Sequence, residues 1–76
     1  MLDSHKFAAA AHMHVLLRRK TGRVTDTEWM VANAEYAREV VRLARAKAHE
    51  ASDPELAQQA DKLETVLLQA GPVRAE

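Results

Sequence analysis

Apolar residues recur along this chain at helical spacing, in three runs separated by short polar turns. In the first run Phe7, Ala10, Met13 and Leu17 fall on one face, widened by Ala9, Leu16 and His14. Leu2-Asp3-Ser4 supplies a start: Asp3 is read as the N-cap, with Leu2 and Phe7 in the two staple positions. Gly22 supplies the stop, because glycine accepts the left-handed conformation that releases a helix C-terminus, and Arg18, Arg19 and Lys20 suit the negative end of the helix dipole. The first helix is predicted over residues 4–20.

The second run opens on Thr25-Asp26-Thr27-Glu28, which fits a capping box between Thr25 and Glu28 flanked by a Val24–Trp29 staple. Met30, Ala34, Ala37, Val41, Ala44 and Ala48 carry the stripe onward, and the run is read as one continuous helix over residues 25–50. Such a helix is roughly 38 Å long against roughly 25 Å for the first, at 1.5 Å per residue. A break at Asn33, with Asn33 capping a new helix whose first turn holds Glu35, is the alternative that removes this mismatch. The third run starts at Ser52-Asp53-Pro54-Glu55, where Ser52 or Asp53 can cap and proline suits the first turn. Leu56, Ala60, Leu63, Leu67 and Ala70 form its stripe, with Val66 and Leu68 beside them, and Gly71-Pro72 stops it. The third helix is predicted over residues 53–70, followed by a frayed tail at 71–76. Three amphipathic helices with short connections make an all-α, up-down-up three-helix bundle, or a four-helix one if the second helix breaks near Asn33.

Composition changes how firm that bundle can be. Of 76 residues, 36 are hydrophobic, but 15 of these are Ala and none is Ile, which leaves 21 large apolar side chains for one small core. Domains of this size draw only about 3–5 kcal/mol from a single core, so self-association is an expected supplement. The absence of Cys excludes a disulfide framework, thiolate metal sites and cysteine nucleophiles, and suits a reducing cytoplasm. The first residues show no long apolar run, so we expect no secretory leader, and no stretch approaches the ~20 apolar residues of a membrane span. A cytoplasmic protein of compact, bacterial style is the expectation.

Few residues offer chemistry. His12 and His14 are two apart and point about 160° from each other on a helix, while His5 and His12 share a face at roughly 10 Å, too far for one metal. His14 reads as a core-edge histidine with one satisfied nitrogen. Two glycines, at 22 and 71, cannot build a nucleophile elbow or a phosphate loop. Asp61 and Glu64 beside Lys62 read as a solvated helix face. We therefore expect no catalytic residue, no cofactor, no metal and no small-molecule substrate.

Two interaction surfaces remain. Trp29, Tyr36, Val40 and Leu43 spread apolar residues around more of the second helix than one neighbour covers, and would anchor a protein partner or a homo-oligomer, because aromatics dominate interface energetics. Arg18, Arg19, Lys20 and Arg23 around the first turn, extended by Arg38, Arg42 and Arg45, form a candidate site for nucleic acid or another polyanion. The chain is neutral overall, with 11 basic and 11 acidic residues, yet residues 1–23 carry +4 and residues 50–76 carry −4. In an up-down-up bundle the basic first turn and the acidic second turn, around Glu50, Asp53 and Glu55, lie at opposite ends. Protein contact or self-association is the leading expectation and nucleic-acid binding the alternative.

Overall fold

The computed structural model describes residues 4–68. The Asp3 cap, the Leu2 staple, residues 69–70 of the third predicted helix, the Gly71-Pro72 stop and the tail 71–76 lie outside the described residues. Within them the chain is an all-α bundle of four helices: α1 (Ser4–Thr21), α2 (Thr27–Ala32), α3 (Ala34–Ala51) and α4 (Pro54–Leu63), the last continuing into a π-helical turn, Glu64–Leu68. The long second helix is therefore divided, and the continuous reading over 25–50 is corrected. Asn33 leaves helical geometry (φ −133°, ψ 111°), donates its N–H to Trp29 O at 2.8 Å, and accepts the Tyr36 N–H on its side chain at 2.8 Å. One residue thus closes α2 and caps α3. The division also matches lengths, since α1 and α3 have 18 residues each.

The break sets the direction of every later element. After Gly22, at φ +78° and with its N–H on Arg18 O, the chain doubles back along α1: His14 Nδ1 lies 2.9 Å from Thr25 Oγ1, and Trp29 shares a groove with Phe7. Residues 22–32 make the return stroke, α3 then runs in the same sense as α1, and α4 runs back against both. This is the four-helix form of the alternating bundle. It places the first and third turns at the same end, so Lys20 Nζ meets Asp53 at 2.7 Å and Glu55 at 3.1 Å. The expected separation of basic and acidic turns to opposite ends is corrected for that reason.

Between the helices lie Met13, Leu16 and Leu17 of α1, Met30 of α2, Val40 and Val41 of α3, and Leu56 and Leu63 of α4. The remaining six of the fourteen buried hydrophobic residues are Ala, so the helices approach closely over a thin core. Phe7, expected on the core face, is 48 % exposed. Six residues from Met13 along a helix is about 120° around it, which carries Phe7 past the edge of the buried face. Gln59 is buried in α4 where the pattern gave no apolar residue, and its Nε2 has no partner among the described residues. Over Glu64–Leu68 the predicted third helix is a π-helical turn, whose Val66, Leu67 and Leu68 pack half-buried against the core.

Candidate functional site

The break at Asn33 creates the most constructed surface of the molecule. Trp29 in the first turn of α2 and Tyr36 in the first turn of α3 stack with ring centroids 4.2 Å apart and planes inclined by 13°. Offset stacks of this kind add to area burial by roughly 0.5–1.5 kcal/mol. Hydrogen bonds hold the Tyr36 hydroxyl and the backbone of both residues. Asp26 Oδ1 accepts the Trp29 N–H at 2.9 Å, the Asp26 N–H donates to the Tyr36 hydroxyl at 2.9 Å, and Asn33 bonds both residues as described. Asp26, rather than Thr25, is therefore the N-cap of α2, and the expected Thr25–Glu28 capping box is corrected. The Thr25 hydroxyl is engaged by His14, and Asp caps better than Thr.

Although stacked and tethered, Trp29 stays 52 % exposed, with Phe7 at 48 % and Val24 at 66 % along the same groove. Exposed apolar residues scattered singly need no explanation, whereas these three line one groove beside an aromatic stack. On the other side of the stack a second groove is walled by Glu35, Arg38, Glu39 and Arg42 of α3. Of the four expected interface residues, Trp29 and Tyr36 lie together at this surface. Val40 does not: at 3 % exposure it belongs to the core, and Leu43 packs half-buried against it. Phe7 was read as a core-face and staple residue and Val24 as a staple residue, and neither was read as part of this surface.

The seven basic candidates are divided. Lys20 is bound to Asp53 and Glu55, Arg45 to Asp61 at 2.7 Å and Glu64 at 2.8 Å, and Arg42 to Glu39. The carboxylates raise the Lys20 ammonium above its ordinary pKa, and Lys20, with the Leu56 N–H, holds the Asp53 carboxyl below its own. Glu64 and Asp61 likewise raise Arg45. Arg18, Arg19 and Arg23 are exposed at the turn end of α1 with no ion pair among the described residues, at the opposite end of the bundle from Arg38 beside the aromatic stack. The structure does not gather them into one patch.

His5 and His12 are exposed, and among the described residues no three of His, Cys, Asp or Glu converge as a metal would require. No helix of the described residues is long and apolar enough to cross a membrane. In comparisons with known proteins, no family model, curated protein or solved structure matches this chain.

Proposed function

We propose that this chain is a non-enzymatic interaction module of the cytoplasm that binds protein through the surface centred on Trp29 and Tyr36. The observation that carries the reading is a stacked aromatic pair, its Tyr36 hydroxyl and both backbones bonded to Asp26 and Asn33, yet left with Trp29 half exposed beside exposed Phe7 and Val24. A rigid aromatic surface loses little conformational entropy on binding, and aromatic anchors are where interface energy concentrates. Nucleic-acid binding ranks second, because Lys20, Arg42 and Arg45 already answer carboxylates of this same chain.

Photo-crosslinking from within the surface tests the reading. A benzoylphenylalanine at position 7, beside Trp29, is expected to give protein adducts on irradiation of the producing cells, and the same group at Gln58, exposed on α4, to give none. Trp29→Ala should abolish the adducts from position 7. Adducts to nucleic acid alone, or none, contradict the proposal.

A further inference from the structure

We propose that the occupant of this surface is a second copy of the same chain, docked about a two-fold axis with the two α3 helices antiparallel; the inference rests on the contact reading above and names its partner. Glu35, Arg38, Glu39 and Arg42 are exposed along the outer face of α3 and wall the groove next to the Trp29–Tyr36 stack. Their spacing is symmetric about the midpoint between 38 and 39, and their charges, minus, plus, minus, plus, are antisymmetric about it. A two-fold axis through that midpoint sets Glu35 opposite Arg42 of the second copy and Arg38 opposite Glu39 of the second copy, and the reverse. Every charge of the stripe then faces its opposite, which is the self-complementarity an isologous contact requires. Two parallel stripes in register would set like charge on like, and such juxtapositions are what interfaces avoid.

The rest of the surface agrees with that occupant. The stack lies toward one side of the stripe's midpoint, so the two-fold places one aromatic pair toward each end of the contact and covers two half-exposed Trp29 rings. Glu35 and Arg38 have no ion pair among the described residues. The Glu39–Arg42 pair is exposed at 66–67 % and is of the kind worth little in isolation, so sharing it with a second copy costs little. A core in which six of fourteen residues are Ala also gains from association, because binding that favours the folded state adds to its stability by mass action.

Charge exchange on the full chain tests the geometry by sedimentation velocity, with melting curves confirming that each variant is folded. Wild type is expected to sediment at twice the 8.5 kDa chain mass as concentration rises. The all-acidic stripe, R38E with R42E, and the all-basic stripe, E35R with E39R, should each self-associate more weakly by about tenfold or more. Mixed in equal amounts the two should form a one-to-one heterodimer, and the variant carrying all four exchanges should self-associate like wild type, since its stripe is again antisymmetric. A wild type that stays monomeric at its highest soluble concentration overturns the inference, and so do two-site variants that dimerise unchanged or fail to pair with each other. Adducts from position 7 to a different protein, with a monomeric wild type, would overturn this inference while leaving the contact reading intact.

Discussion

Single residues decide where this chain bends, and their roles follow from their chemistry. Gly22 takes the positive φ that its position requires, as the sequence implied. Ser52 and Asp53 were both readable as the cap of the last helix, and the structure divides the work: Ser52 turns left-handed (φ 50°) to close α3, and Asp53 accepts the Leu56 N–H to open α4. Asp53 also binds Lys20, an attachment between residues 33 apart that no local pattern could announce. This pair makes stability depend on acid. The Asp53 carboxyl is held below its usual value of 3.8, first by Lys20 and then by the Leu56 N–H. Its contribution is therefore complete above the unfolded value and is lost as pH falls below 3.8 through the folded one. Asp53→Asn keeps an oxygen for the cap but removes the charge. It should melt below wild type at neutral pH, and the gap should close at strongly acidic pH; an unchanged gap across the melting series would show that the ion pair contributes nothing.

Among the elements, α2 is the one on which the architecture turns. Helix type was legible nearly everywhere, because the 3.6-residue stripe and the caps agree. The break was legible only as an alternative: Trp29 to Ala37 reads as helix by propensity, the Asn33 cap is a local bond that competes with it, and what fixes the break, the Trp29–Tyr36 stack and the Asp26 N–H on the Tyr36 hydroxyl, exists only once the chain has turned there. Asn33→Ala removes the side-chain oxygen that caps α3 while leaving its backbone bond to Trp29, and should cost about 1 kcal/mol of stability in urea denaturation, with reduced near-ultraviolet dichroism from the loosened stack. A stability equal to wild type would mean that packing, not the cap, fixes the break. Gln59 illustrates the opposite limit: three residues after Leu56 and four before Leu63 it lies on the buried face by spacing, but as an amide it was not read as part of the apolar stripe.

At the scale of the whole molecule, the return stroke of residues 22–32 accounts for both surfaces. It brings the basic end of α1 against the acidic start of α4, so part of the +4/−4 gradient read from the sequence is neutralised by pairs at one end of the bundle rather than displayed at opposite ends. It also carries Trp29 up beside Phe7 and leaves the stack facing outward. The charges were legible, but their placement was not, because three strokes and four strokes differ by one turn at Asn33. Trp29 is the only tryptophan, so its indole N–H gives one assignable signal in a nitrogen–proton spectrum. The most direct test of the account follows that signal as the purified protein is concentrated and then as it is placed in concentrated extract of the producing cells. Cross-relaxation from the indole to the Tyr36 ring, with selective shift or broadening on concentration or in extract while signals of exposed Gln58 persist, is the predicted result. An indole without contact to Tyr36, or a signal unchanged both by concentration and by extract, would contradict the claim that the stack is a contact surface.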